Sequence, residues 1–158
     1  MPDWTRRLWA ETVRDFSALG SFQILFLLGL GLYSLNLSLG ARVLWGLCVV
    51  DLLAALVKLA VHRPRPDGQT FANLIGRIDA GSLPSVHAAR SLFMAVTLSG
   101  GYPLLLPVAL PACLLVGISR VLLRRHRVTD VIAGYVLGAA VSLIFSPVPL
   151  QSVLIPFD

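Results

Sequence analysis

Charged residues are few in this chain, and their scarcity is the first constraint on what it can be. Asp, Glu, Lys and Arg make up 13% of the sequence against 56% hydrophobic residues, with a mean hydropathy of +0.81. A soluble domain carries about a quarter of its residues as charge, so a water-facing globule is excluded and a bilayer is the fitting solvent. Carboxylates number only 8. They form no cluster suited to magnesium, and no Cys/His spacing suits zinc, so no metal ligand set is expected. The 2 cysteines, Cys48 and Cys113, fall in apolar segments, which speaks for small buried thiols and against a disulfide framework. No small-residue cleavage site follows the N-terminal Arg6, Arg7 and Arg14, so the apolar run after them is expected to be an uncleaved first span. Internal repeats and low-complexity tracts are missing as well. The net charge of +5 and the pI near 10 come without a soluble basic domain to hold a duplex. That argues against nucleic acid as a partner and for phosphorylated lipid.

What is abundant is apolar sequence in long runs. Crossing about 30 Å of hydrocarbon takes roughly 20 helical residues. Five windows approach that length: residues 22–39, 41–61, 87–100, 103–119 and 129–145, the third being the shortest. They lack the two-residue alternation of barrel strands, and backbone groups in lipid must be satisfied within the segment, so helices are predicted. The expected fold class is all-α, an integral membrane helical bundle of about five transmembrane helices. It forms a single domain over 1–158, with a transmembrane core at 21–146 and a short tail at 147–158. Ahead of the core, Trp4, Leu8, Trp9, Val13 and Phe16 recur at helical spacing, while Arg6, Arg7, Glu11, Arg14 and Asp15 lie largely elsewhere on the wheel. Residues 1–20 are therefore predicted to hold an interfacial amphipathic helix, its two tryptophans at headgroup level. Gly134 and Gly138 stand at GxxxG spacing, a candidate contact face. The Pro- and Gly-rich stretch 63–83 predicts a loop.

Five spans put the end of the second, the start of the third and the connection between the fourth and fifth on one side of the membrane. Lys58, the only lysine, all three histidines (His62, His87, His126) and most of the arginines then meet at one interface. Lys58, Arg65 and Arg120 suit the non-bridging oxygens of a phosphoryl group, whose charge needs stabilising most in the transition state. Ser85 and the amides after it would open the third helix, and a helix N-terminus is an anion site. His126 and Asp130, four apart, are expected to share a helix face. The carboxylate would hold one ring nitrogen protonated and leave the other as a nucleophile. His87 remains to protonate the leaving oxygen as a general acid. Asp51, mid-span and two turns before Lys58, is expected either to support Lys58 or Arg90 or to be a protonated structural carboxyl. His62 reads as structural. Arg63, Arg77, Arg124, Arg125 and Arg127 read as headgroup-facing or positive-inside charges.

The same residues form a pattern. Lys58 is followed after six residues by Arg65-Pro66; then come Pro84-Ser85-Val86-His87; then Ser119-Arg120, five residues, His126, three residues, Asp130. In this order and spacing the sequence resembles the type 2 phosphatidic acid phosphatase superfamily, whose pocket is shared with vanadium haloperoxidases and bacterial acid phosphatases. The resemblance covers residues 58–130, and the surrounding spans point to the membrane-bound branch. It implies a phosphohistidine intermediate on His126 with His87 and Asp130 also catalytic. It further implies phosphate held by Lys58, Arg65, Ser85 and Arg120, with no cofactor and no metal. Val86 departs from the pattern: it stands where the family has glycine, and valine strongly disfavours positive φ.

The expected activity is hydrolysis of a lipid phosphate in a multi-pass cell membrane protein whose partners are its substrate and bilayer lipids. Polyprenyl diphosphates, phosphatidylglycerophosphate, phosphatidic acid and phosphorylated lipid A are the candidates the family implies. A soluble phosphate ester is the alternative substrate. A non-enzymatic anion-binding transporter subunit is the alternative from another class, and it lacks the paired gates or repeats that class needs. Arg6, Arg7 and Arg14 against a lone Arg42 favour a cytoplasmic site, whereas many bacterial members of the family work on the outer face.

Overall fold

The structure is a computed structural model and describes residues 3–61, 63–66, 76, 78 and 80–145. The expected tail, His62, Arg77 and most of the loop predicted at 63–83 lie outside the described residues. Among the described residues six α-helices follow in order: α1 (Asp3–Ala18), α2 (Phe22–Leu35), α3 (Leu37–Ala60), α4 (Val86–Gly101), α5 (Leu106–Leu122), which a 3₁₀ turn at Pro103–Leu105 precedes, and α6 (Val128–Phe145). No strand occurs among the described residues; a single bridge pairs Pro64 with Gly81.

Length and composition let three of these cross a bilayer: Leu37–Ala60, Pro103–Leu122 and Val128–Phe145. Arg7–Ala18 and Phe22–Leu35 together, bent by 46°, make a fourth. The first expected span ends early. Asn36 leaves the helical region at φ −145 and its side chain accepts the Leu39 amide at 3.1 Å, so it caps α3, and α2 ends at Leu35, four residues before the expected boundary. Hydropathy runs straight through that position because capping is a single polar residue in an apolar stretch.

The third window forms α4, with 16 helical residues against 14 in α2. α4 is the central helix, packed most extensively against α6 and α5 and also against α3 and α2. Its Ala88, Ala89, Phe93 and Met94 are buried, and Phe93 joins Leu25, Val43, Leu47, Val50 and Val141 in the core. Gly134 and Gly138 supply the contact face on α6. A Cβ on Gly134 would overlap the Ser85 carbonyl oxygen, and one on Gly138 the Ala89 carbonyl oxygen, so only glycine lets α6 lie this close to the start of α4. Large apolar side chains such as Leu27, Trp45, Leu52, Leu104, Val136 and Ile144 are exposed around the bundle, the surface of a multi-pass membrane protein. α1 packs along α5 with Val13 and Ser17 buried and Trp4, Leu8 and Trp9 outward.

Candidate active site

The turn that carries His126 is built by the end of α5. Arg124 adopts a left-handed backbone, φ 53. Its N–H donates to the Val121 carbonyl at 2.9 Å, and that of Arg125 donates to Arg120 at 3.1 Å. These paired bonds are a Schellman termination, with arginine where glycine is usual. The turn sends His126 back over the helix end, its own N–H on the Arg120 carbonyl at 3.2 Å. α6 begins only at Val128, so His126 precedes it and the helical relation expected between His126 and Asp130 does not form. Asp130 instead closes the start of α6, as one Oδ accepts the Arg127 amide at 2.8 Å. Its other Oδ accepts Arg63 Nη1 at 2.8 Å, and the same Nη1 donates to Thr129 Oγ1 at 3.0 Å. Asp130 is fully buried.

His126 finds its orienting partner in the backbone. Nδ1 lies 2.7 Å from the Ser82 carbonyl oxygen. A carbonyl only accepts, so Nδ1 carries the proton and Nε2 keeps its lone pair. Ser82 is itself fixed, donating its N–H to the Arg63 carbonyl at 2.9 Å, and the Ser85 N–H donates to the Asp130 carbonyl at 2.8 Å. Burial first, then the Arg120 charge, pushes the His126 imidazole down to about 4, against the opposing pull of the Ser82 hydrogen bond. The ring is neutral at pH 7.

Lys58, Arg65, His87, Arg120 and His126 line one cavity of about 460 Å³. Three side-chain cations therefore converge where the uncharged Nε2 of His126 and the His87 imidazole also arrive. This array can take a phosphoryl group, with a nucleophile and a second imidazole beside it. Ser85 and Asp130 are not among the cavity-lining residues. Ser85 precedes α4, and its hydroxyl is buried without a hydrogen-bond partner. Val86 is the first residue of α4; among the described non-glycine residues only Arg124 has positive φ. The valine therefore needs no disfavoured backbone, and its amide sits in a first turn that has no intrahelical acceptors. Among the described residues no group of three or more His, Cys, Asp or Glu is placed to hold a metal ion.

Three contacts were not foreseen from the sequence. Arg63, read as headgroup-facing, is the partner of Asp130. The Ser82 carbonyl holds His126. Arg120 Nη1 donates to Ser17 Oγ of α1 at 2.6 Å, so the N-terminal helix reaches an arginine that lines the cavity. Nearby, a Cβ on Gly20 would lie 3.0 Å from the His87 carbonyl oxygen and 2.8 Å from Val116 Cγ1, which shows how tightly the α1–α2 corner seats against the site. Asp51 takes Arg90 rather than Lys58: its two oxygens accept Arg90 Nε at 2.6 Å and Nη2 at 2.8 Å. The Arg90 guanidinium stands 5.3 Å over the Phe22 ring.

Known proteins resemble this chain in sequence and in fold. Decaprenylphosphoryl-5-phosphoribose phosphatase of Mycobacterium tuberculosis, from strains CDC 1551 / Oshkosh and H37Rv, is 35% identical over 103 residues, 65% of this chain. The match spans 57% of that relative's length. The crystal structure of a transmembrane PAP2 type phosphatidylglycerolphosphate phosphatase from Bacillus subtilis superposes with a TM-score of 0.73 at 25% identity, over 100% of this chain and 82% of the other. Aquifex aeolicus LpxE superposes with a TM-score of 0.74 at 24% identity, over 87% and 85% of the two chains, which supports the fold alone. The family model of the PAP2 superfamily matches residues 39–153, which include every residue of the cation and histidine array, and the chain belongs to that superfamily.

Proposed function

We propose that this protein is a membrane-embedded phosphatase that hydrolyses a lipid phosphate ester through a phosphohistidine on His126. The observation that carries the reading is the His126 ring: Nδ1–H is spent on the Ser82 carbonyl, and the uncharged Nε2 is left in a cavity with Lys58, Arg65 and Arg120. Nε2 attacks phosphorus, the N–P bond forms as the P–O bond to the leaving alcohol breaks, and His87 gives its proton to the departing oxygen. Water then attacks the phosphohistidine, His87 takes the proton from that water, and inorganic phosphate leaves. Lys58, Arg65, Arg120, the Ser85 hydroxyl and the first amides of α4 stabilise the phosphoryl oxygens, so the charge is met by side chains and no metal takes part. Asp130 acts on the nucleophile indirectly, by holding Arg63 and the start of α6 under the His126 turn.

The lipid reading is supported by the cavity's position at the ends of apolar helices, where a headgroup enters while its tail stays in the bilayer, and by the relatives that act on lipid-linked phosphates. The test is trapping of labelled phosphoenzyme by an alkaline detergent quench, which preserves the acid-labile N–P bond, during turnover of a panel of phosphatidic acid, phosphatidylglycerophosphate, a polyprenyl diphosphate and a polyprenylphosphoryl-phosphoribose, with EDTA present. His126→Ala is expected to lose label and at least about a thousandfold in kcat. A variant that keeps the label would overturn covalent catalysis by His126, and EDTA inhibition reversed by magnesium would overturn the metal-free mechanism.

A further inference from the structure

The cavity is larger than the reaction requires. Its volume is about 460 Å³, whereas a phosphoryl group fills only a few water volumes of roughly 30 Å³ each. Along α3 it is lined by Asp51, Ala55 and Lys58, a stripe that rises about 10 Å from the cationic end into the span. Asp51 stands at the far end of that stripe bonded to Arg90, and Gln23, near the start of α2, lines the same cavity. Asp51, inside the span formed by α3, keeps 30% and Arg90, on the central helix α4, 14% of its side-chain surface exposed, and both line the cavity.

Stability does not account for this pair. Desolvating two charges offsets most of what their attraction returns, and an apolar pair of similar volume packs as well. An ionisable pair held at membrane depth and open to a cavity marks a ligand position. Its charge state selects the ligand. Asp51 uses both oxygens on Arg90, so the pair is neutral overall and is not a second anion site. What it still presents is carboxylate lone pairs and further guanidinium N–H groups, beside the Gln23 amide: donors and acceptors with no net charge, which hydroxyl groups match and hydrocarbon does not.

The reaction fixes which part of a substrate arrives there. An in-line attack by His126 puts the leaving oxygen on the far side of phosphorus, at His87, and Arg90 lies three residues further along α4, on the same cavity wall. We propose that Gln23, Asp51 and Arg90 form a subsite that reads hydroxyl groups on the leaving alcohol, so that the preferred substrate is a sugar or polyol phosphate rather than a phosphate on a bare diacylglycerol or prenyl chain. This rests on the phosphatase reading above.

The test uses the full chain in detergent with octyl riboside 5-phosphate, its 2,3-dideoxy analogue and phosphatidic acid, and free ribose 5-phosphate as the soluble counterpart. The wild-type protein is expected to favour the hydroxylated riboside over the dideoxy one by at least about tenfold in kcat/KM, the scale of a hydrogen bond to a charged group. In Asp51→Leu/Arg90→Met that ratio is expected to fall to about one, with folding checked by the thermal shift on vanadate addition; should the double variant not fold, Gln23→Leu is expected to lower the ratio by about threefold or more. A riboside favoured over free ribose 5-phosphate assigns the hydroxyls to a lipid headgroup; the reverse assigns them to a soluble ester. Hydrolysis of none of the esters refutes the phosphatase reading. An active protein with equal rates on riboside and dideoxy riboside, or a ratio unchanged in the folded variants, overturns the subsite alone.

Discussion

Gly134→Ala adds one methyl group to α6 and should damage a site it does not touch. The new Cβ overlaps the Ser85 carbonyl oxygen and lies 3.1 Å from Ala88 Cβ. Backbone cannot swing aside as a side chain tip can, so α4 and α6 must part by on the order of 1 Å to reach normal contact. Overpacking of that kind costs about 1–3 kcal/mol, against about 1 kcal/mol regained from alanine's better helix propensity. The net loss of stability is therefore small, about 1 kcal/mol. Catalysis should suffer more. Ser85 precedes α4 and is bonded to the Asp130 carbonyl at 2.8 Å, so a shift there separates the amides proposed to bind the phosphoryl group from His126, and a misplacement of about 1 Å costs about a hundredfold in rate. Gly31→Ala is the control, since nothing lies within 4 Å of a Cβ there. Phosphate release and thermal unfolding of the three proteins check the reasoning. If Gly134→Ala kept kcat within about threefold of wild type while Gly31→Ala did the same, the close approach would not be what sets the site.

The His126 imidazole, held down at about 4 in the fold, titrates near 6.5 when unfolded. The unfolded chain thus binds more protons between those values, and stability should fall as pH drops from about 6.5 to 4. Histidine ¹⁵N NMR, assigned with His126→Asn, should show this ring still neutral at pH 5.5, and a midpoint above 6 would contradict its burial among cations. Arg63→Met removes the partner of a fully buried carboxylate; since Arg63 is itself 30% exposed, the loss should lie just below the range of about 3–5 kcal/mol for a fully buried pair, at about 2–3 kcal/mol. A double-mutant cycle with Asp130→Asn, read by thermal unfolding, should show coupling of at least about 1 kcal/mol, and strict additivity would remove the pair from the account.

The bundle was legible because spans are long and apolar, and the cations and histidines were legible because the family fixes their spacing. What stayed hidden had no side-chain signal. The Ser82 carbonyl could be any residue's, so nothing in the letters marks it as the partner of Nδ1. The i, i+4 relation assigned to His126 and Asp130 presumed a helix that starts two residues later, after a left-handed Arg124 that sequence reasoning reserves for glycine. Arg63 looked like one more interfacial arginine until the fold placed it against a carboxylate 67 positions away. Asp51 and Arg90 were nearer the surface of the sequence: each is an ionisable residue inside an apolar window, and such residues need partners.

The bond between Arg63 and Asp130 also sets an order of assembly. The chain leaves the ribosome from its N-terminus, so Lys58, Arg63, Arg65 and the start of α4 are in the bilayer before Asp130 has been synthesised. Until then Arg63 has no carboxylate to answer it, the Ser85 amide has no acceptor on α6, and His126 has no finished turn to rest on. A chain ending before residue 130 thus lacks the carboxylate that Arg63 holds and the acceptor of the Ser85 amide, so the site is complete only when α6 has been made.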